Sequence, residues 1–199
     1  HQGSRLSAVR WAKDHAIAEV LGLGAFDEKD LYDALDDLCD RQDKIEKALF
    51  RRYLERNGAP PALVLYDVTS SYLEGEHNEL GEFGYNRDGK KGKLQIVIGL
   101  LADAAGDPLA VRVFSGNTGD TSTVAEQIET LTTQFAIKDV IFVGDRGMVK
   151  KAGQMALGEE GFRYITALTD PQIRKMLADK TLQLDLFAEK VCEVEDDDL

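Results

Sequence analysis

The chain has 199 residues, of which 43% are hydrophobic and 30% charged, enough for one domain with an appendage or for two small domains. Its net charge of −12 argues against broad, non-specific nucleic-acid binding, because contacts to phosphates need Lys and Arg. No apolar stretch is long enough for a membrane span, no signal peptide is visible, and Cys39 and Cys192 fit no zinc or redox spacing. These features predict a protein of the reducing cytoplasm.

The first 60 residues are predicted to form a helical region. Apolar residues recur at helical spacing from Leu6 to Leu21, and Gly22 ends this run. Asp27 is a suitable N-cap for a second helix, and the apolar stripe of a third helix ends at Gly58.

Two apolar stretches of strand type each lead into an aspartate. Leu63–Tyr66 precedes Asp67, and Val140–Val143 leads through a glycine to Asp145. Continuous apolar runs are typical of strands buried on both faces, where a carboxylate is costly unless it has a use. We therefore expect Asp67 and Asp145 to meet at the ends of adjacent strands and to hold a divalent metal ion.

The other predicted elements complete an alternating order. Two closely spaced strands, 94–101 and 109–114, are expected to form an antiparallel hairpin. The later strands alternate with helices, which requires right-handed crossovers and parallel pairing with the first strand. This order predicts a mixed five-stranded sheet with helices on its faces, the ribonuclease-H-like arrangement. The remaining predictions are a loop over Ser115–Asp120 that ends in a helix cap, a helix with Val124, Ile128, Leu131 and Phe135 on one face, a helix from Lys150 to Leu157, a strand from Gly161 to Thr166, a helix from Asp170, and a weak strand from Leu182 to Phe187.

Two carboxylates with no His or Cys nearby suit a hard cation with oxygen ligands, which favours Mg²⁺ or Mn²⁺. Two such ions could activate a water or a 3′-hydroxyl and stabilise the leaving oxygen of a phosphodiester. In the structural alternative, Asp67 caps a turn with Thr69 and Ser70, and Asp145 begins the next helix. The placement of both aspartates after apolar strands favours the metal interpretation.

Basic residues concentrate near the two aspartates despite the negative total charge. The segment 87–93 and the residues after Asp145 carry the candidate DNA contacts. The cations of the segment could equally occupy a solvated hairpin tip, and Arg146 could pair with Asp67, with Asp145 or with a phosphate. The candidate DNA-binding residues are Arg87, Lys90, Lys91, Lys93 and Arg146.

Four motifs follow one another along the chain, namely Tyr66–Ser70, Gly84–Lys90, Gly116–Asp120 and Val143–Met148. They resemble those of bacterial insertion-sequence transposases of the DDE type, in the branch whose catalytic domain opens with a YDVTS-like strand. They follow the family's order and spacing, and the resemblance covers nearly the whole chain. It implies a ribonuclease-H-like core that uses two Mg²⁺ or Mn²⁺ ions to cut and join DNA at transposon ends, and homo-oligomers on that DNA. Asp67 would be the first acid of the catalytic triad and Asp145 the second.

The resemblance also implies a third acid, a Glu that follows Tyr and Arg on a later helix. No such pattern follows Ile165. We therefore expect residues 61–190 to be an incomplete catalytic core, followed by an acidic tail at 191–199, and the isolated chain to be a poor catalyst. The acidic residues available in place of the missing Glu are Glu189, Glu193 and Glu195.

Two other classes of function remain open. A truncated transposase could be a catalytically inactive remnant that binds DNA or a partner subunit. A phosphohydrolase of the haloacid-dehalogenase type also has a nucleophilic Asp after a strand, but it requires a second Asp two residues later, where this chain has Thr69. Substitution of Asp67 separates a catalyst from a remnant, because only a catalyst would lose activity.

Overall fold

A computed structural model describes residues 3–75, 77–85, 89–90 and 92–180. The chain divides into two compact units, His1–Leu49 and Phe50–Leu199. None of the helices within the described ranges is long and apolar enough to cross a membrane. The weak strand predicted from Leu182 to Phe187 lies outside the described residues.

The first unit begins with two helices where the sequence pattern shows one apolar run. α1 (Arg5–Lys13) and α2 (Ile17–Val20) are separated by three residues that begin with Asp14, the C-cap of α1. The backbone N–H of Asp14 donates to the carbonyl of Trp11 at 3.2 Å. Helical spacing of apolar residues therefore continues across a point where the backbone leaves the helix.

The next two helices have the predicted ends. α3 (Glu28–Asp40) begins after the N-cap Asp27, whose side chain accepts from the N–H of Asp30 at 3.1 Å. The Asp30 side chain accepts from the N–H of Asp27 at 2.8 Å, which completes a capping box. α4 (Gln42–Asn57) ends before Gly58, whose φ of 75° suits a residue that terminates a helix.

The second unit contains a five-stranded mixed sheet. Its elements are β1 (Leu63–Tyr72), β2 (Gln95–Asp103), β3 (Pro108–Ser115), α5 (Asp120–Glu129) with a π-helical turn over Thr130–Gln134, β4 (Ile141–Gly144), α6 (Lys151–Glu159), β5 (Arg163–Ile165) and α7 (Asp170–Ala178). The strand order is β3-β2-β1-β4-β5. β2 pairs antiparallel with β1 and β3, whereas β4 pairs parallel with β1 and β5. The predicted ribonuclease-H-like arrangement is confirmed.

The hairpin between β2 and β3 is closed by a buried aspartate. The Oδ1 of Asp103 accepts from the backbone N–H groups of Ala105 at 2.9 Å and Asp107 at 2.8 Å. Gly106 takes a φ of 89°, a conformation that costs glycine little. The predicted antiparallel hairpin is therefore confirmed, and the Asp103 carboxylate accepts hydrogen bonds from two N–H groups of its turn.

One face of the sheet is covered. Val64, Tyr66 and Val68 alternate along β1 on this face and share one core with the buried residues of α5. Phe50 of α4 stacks on Phe135 in the same core, with ring centroids 4.3 Å apart. The four residues predicted for the buried face of the helix are all buried, namely Val124, Ile128, Leu131 and Phe135.

The opposite face of the sheet is exposed over much of its area, so the prediction that the first strand is buried on both faces is wrong. Buried and less buried residues alternate along β1, and Leu65 is 37% exposed. On β2, Leu100 of the same face is 44% exposed. Asp67 lies on this face too, because side chains two residues apart along a strand point the same way. The apolar run Leu63–Tyr66 thus spans two different environments.

Candidate catalytic site

The pairing of β1 with β4 places the two predicted aspartates at the same level of the sheet. The parallel ladder ends at the pair Tyr66 and Gly144. Asp67 follows Tyr66 within β1, and Asp145 follows Gly144 directly after the end of β4. Both side chains are exposed. The neighbouring strands were predicted correctly, and the binding of metal by this pair remains a prediction.

Asp67 lies inside β1 and not at its end, because β1 continues to Tyr72 alongside β2. Thr69 and Ser70 belong to the same ladder, so Asp67 does not cap a turn with them. Its Oδ1 accepts from the N–H of Val68 at 2.9 Å. The structural alternative for Asp67 is therefore wrong, and the carboxylate stands on a strand that is held on both sides.

Tyr66 holds this part of β1 in place. Its side chain is only 3% exposed, and burial raises the pKa of the Tyr66 hydroxyl from 10.0 to about 12. A Cβ added to Gly99 on the adjacent strand would lie 3.0 Å from the ring atom Cε2 of Tyr66. Glycine at this position therefore makes room for the ring, and the packed ring fixes the backbone next to Asp67.

Asp145 begins a tight turn after β4. Its carbonyl accepts from the N–H groups of Met148 at 3.0 Å and Val149 at 3.1 Å. Met148 and Val149 are buried, which anchors the turn, while the Asp145 side chain stays exposed. The structural alternative required Asp145 to start the next helix. Because α6 begins only at Lys151, Asp145 starts a turn instead.

A third carboxylate, Asp120, lies near Asp145. An ideal Cβ on Gly147 would be 3.6 Å from Oδ2 of Asp145 and 3.7 Å from Oδ2 of Asp120, so the two oxygens are at most about twice that distance apart. Thr121 Oγ1 donates to the carbonyl of Gly147 at 3.4 Å, which ties the start of α5 to the same turn. Asp120 was predicted as a cap, but Gly119 is the N-cap and Asp120 is the first helical residue.

The donor atoms of this region suit a hard divalent cation in type. Carboxylate oxygens are the ligands that Mg²⁺ and Mn²⁺ prefer. Within the described part of the chain, however, no group of three or more His, Cys, Asp or Glu residues is placed to hold a metal ion. Asp67 and Asp145 therefore fit such an ion by chemistry and by strand register, without forming a complete ligand set among these residues.

Several solved structures resemble this chain. One is a Mos1 transposase paired-end complex with left transposon end, at 11% identity and a TM-score of 0.37 over 90% of this chain and 72% of that chain. Another is a piggyBac transposase synaptic complex with hairpin DNA, at 14% identity and a TM-score of 0.39, over 59% of this chain and 26% of that chain. A third is a simian T-cell lymphotropic virus intasome in complex with PP2A regulatory subunit B56 gamma, at 8% identity and a TM-score of 0.36, over 60% of this chain and 37% of that chain. These similarities concern the fold alone. No family model and no curated protein matches the chain.

The predicted DNA-binding cations have acidic or aromatic neighbours where they are described. Lys93 Nζ lies 2.9 Å from Oε2 of Glu74, and this hydrogen bond raises the pKa of Lys93. Lys90 Nζ lies 5.7 Å from the centre of the Tyr72 ring. Arg87 and Lys91 lie outside the described residues.

Arg146 has a partner that the sequence did not indicate. Its Nη1 lies 3.8 Å from Oδ1 of Asp170, at the start of α7. Both side chains are more than half exposed, so this ion pair contributes little to stability. Arg146 also lines a cavity of about 290 Å³ together with Lys150 and Lys151. Three cations therefore line one cavity on an acidic protein, and the first of them, Arg146, directly follows Asp145.

Proposed function

We propose that the second unit is the catalytic core of a DDE-type transposase of the bacterial insertion-sequence kind. In this proposal Asp67 and Asp145 bind Mg²⁺ or Mn²⁺ during cleavage and strand transfer of DNA at transposon ends. The observation that carries it is the parallel β1–β4 ladder. Its last pair is Tyr66 and Gly144, and each of these residues is followed directly by one of the two aspartates.

The chemistry divides between the ions and the protein. Bound Mg²⁺ or Mn²⁺ would supply Lewis-acid activation of a phosphodiester. Asp67 would present its carboxylate from a central strand whose backbone is fixed by the ladder with β2 and by the packed ring of Tyr66. Asp145 would present its carboxylate from the turn that Met148 and Val149 anchor.

The basic cavity supports a DNA partner. Arg146, Lys150 and Lys151 line it and lie close to Asp145 in sequence. Cations at this position would bind the phosphates that flank the reacting one and offset the repulsion between DNA and a chain with a net charge of −12. Transposon-end DNA, bound by a homo-oligomer, is the partner that this proposal assigns.

A second candidate function is that of a catalytically inactive remnant that binds DNA or a partner subunit. It is favoured by the sequence after Ile165, which has no Glu that follows Tyr and Arg in the expected pattern. A remnant would keep the fold and the basic cavity, and it would bind DNA without Mn²⁺-dependent cleavage.

Calorimetric titration with Mn²⁺ tests the metal site. We expect the chain to bind Mn²⁺, and Asp67→Ala and Asp145→Ala to remove that binding. Asp139→Ala is the matched control, since Asp139 precedes β4, is exposed, and pairs with Arg163 at 3.1 Å. If the folded chain does not bind Mn²⁺, or if both aspartate variants bind it as the parent does, the metal site is refuted and the remnant is favoured.

A further inference from the structure

α5 and the π-helical turn that follows it carry a line of buried polar residues, which we call the polar stripe. Its members are Thr123, Gln127 and Thr130, spaced by four and three residues, so their side chains lie on one face of the helix. Their exposed fractions are 0%, 0% and 4%. Burying a polar side chain costs free energy unless it is hydrogen-bonded, so a whole line of such residues in a core needs an explanation.

An apolar line runs directly beside the polar stripe. Val124, Ile128 and Leu131 each follow one of its members by one residue, and all three belong to the hydrophobic core. Apolar side chains of similar size can repack against one another with little loss, so they fix the position of a helix only loosely. Polar groups in a core need particular partners, and they therefore specify one arrangement of the elements that carry them.

The C-terminal end of the polar stripe is tied to β3. Nη2 of Arg112 donates to Oγ1 of Thr130 at 3.2 Å and to Oε1 of Gln134 at 2.9 Å. Oγ1 of Thr130 in turn donates to the carbonyl of Glu126 at 2.9 Å. These bonds fix where this end of the helix lies along the sheet.

The rest of the polar stripe faces β1 at the residue that precedes Asp67. Burial raises the pKa of the Tyr66 hydroxyl, and hydrogen bonding to Thr123 and Gln127 opposes that rise, so the three side chains face one another. The Tyr66 hydroxyl and both amide atoms of Gln127 are nevertheless buried without a hydrogen bond of ordinary geometry in the described part of the chain. The core therefore carries a cost in stability at this contact.

Thr123 connects this contact to the start of α5. Its Oγ1 donates to the carbonyl of Asp120, the first residue of the helix, at 2.6 Å. The same turn of the helix is tied through Thr121 to the turn that follows Asp145. One side of Thr123 thus leads to the strand of Asp67, and the other leads to the turn of Asp145.

We propose that Thr123 and Gln127 are positioning residues for the two aspartates of the proposed metal site. Their buried polar groups set the position of α5 on β1, and with it the separation of the Asp67 and Asp145 carboxylates. This inference rests on the proposed function, because it requires a metal ion at these two aspartates. Loss of a group that orients metal ligands without touching the ion typically weakens metal binding by about 10–100-fold.

Separate removal of the hydroxyl and of the methyl group of Thr123 tests this proposal. Thr123→Val keeps the shape and removes the hydroxyl, whereas Thr123→Ser keeps the hydroxyl and removes the methyl group. Mn²⁺ calorimetry and urea denaturation are measured on each protein. We expect Thr123→Val to remain folded and to bind Mn²⁺ on the order of tenfold more weakly. Thr123→Ser should bind Mn²⁺ as the parent chain does, although its urea midpoint falls.

Gln127→Leu is the second test variant. It removes two buried polar atoms that lack hydrogen bonds, so the urea midpoint should stay the same or rise. Mn²⁺ binding should still weaken, again on the order of tenfold. A residue that only supports the core would show the opposite, a lower urea midpoint with unchanged Mn²⁺ binding.

Val124→Ala is the matched control, because Val124 is the neighbour of Thr123 and is equally buried, at 0% exposure, but belongs to the apolar line. It should lower the urea midpoint and leave Mn²⁺ affinity unchanged. Parental Mn²⁺ affinity in Thr123→Val or in Gln127→Leu would overturn the inference and leave the proposed function standing. Equal weakening in Thr123→Ser or Val124→Ala would also overturn it, because any loss of packing would then have the same effect. If the folded parent chain does not bind Mn²⁺, the proposed function fails and this inference fails with it.

Discussion

The two faces of the sheet differ at neighbouring residues of one strand. On β2, Leu101 is fully buried, whereas Leu100 is 44% exposed. Leu101 pairs with Tyr66 on the covered face, and Leu100 pairs with Asp67 on the exposed face. The covered face therefore holds the hydrophobic core, and the exposed face carries the first proposed catalytic acid among apolar side chains.

This difference separates stability from function along a single strand. Tyr66 and Asp67 are adjacent in sequence but point to opposite faces, so the packing that fixes Tyr66 also positions Asp67. A carboxylate on the covered face would be desolvated at a high cost. A carboxylate on the exposed face avoids that cost and stays accessible to a charged ligand.

The largest expected effect is that of a truncation on the covered face. Leu101→Ala should lower the free energy of unfolding by about 2–5 kcal/mol, because it leaves a cavity in the core. Leu100→Ala should cost less than about 1 kcal/mol, since much of that side chain is already in water. Urea denaturation of both variants measures the difference. Equal losses would mean that both faces are covered in solution.

A smaller loss is expected when a methyl group is added to the covered face. Gly99→Ala should destabilise the chain by about 1–3 kcal/mol, because its Cβ would press against the ring of Tyr66. In a Tyr66→Phe background this cost should shrink, since the hydroxyl is one of the atoms it meets. A double-mutant cycle by urea denaturation gives the coupling free energy between Gly99→Ala and Tyr66→Phe. Additive losses would show that Tyr66 and Gly99 do not compete for this space.

Alkaline pH should weaken the covered face through Tyr66. Because burial raises its pKa to about 12 from 10.0, the unfolded chain loses this proton first as the pH rises. The contribution of Tyr66 to the free energy of unfolding is complete below about pH 10. It decreases toward pH 12, by at most about 1.4 kcal/mol per pH unit. Tyr66→Phe should remove this slope in denaturation midpoints measured from pH 9 to 12. Tyr53, whose pKa is also raised by burial, leaves a residual slope in both proteins, and an unchanged slope in Tyr66→Phe would contradict the assignment.

Periodicity in the sequence predicted most of the fold. Val124, Ile128, Leu131 and Phe135 repeat at helical spacing, and the same four residues are buried. Short apolar runs separated by turns or helices predicted a mixed five-stranded sheet in which the Asp67 and Asp145 strands are neighbours, because right-handed crossovers allow few alternatives. The open face was not predicted, since an apolar run shows what a strand contains but not what covers it.

The surroundings of the site were less predictable because they depend on contacts between distant parts of the chain. Asp120 approaches Asp145 through the packing of α5 against a turn 25 residues later, which local spacing does not encode. Gly84 and Gly116 lie in two of the four motifs, but their contact appears only in the fold, where a Cβ on Gly84 would collide with the carbonyl oxygen of Gly116. The sequence did indicate these residues in one way, because Asp120, Asp145 and the two glycines all lie in the four motifs.

The smallest effect on stability should come from the exposed face itself, where Asp67→Asn changes a charge without changing shape. Asp67 is exposed, and its Oδ1 accepts a hydrogen bond from the N–H of the next residue, which an amide oxygen can also accept. We expect the free energy of unfolding to change by less than about 0.5 kcal/mol while Mn²⁺ binding is lost. Paired denaturation and calorimetry on the same preparation measure both quantities. A large loss of stability would mean that the carboxylate holds the fold, and the separation between a stabilising face and a functional face would no longer hold.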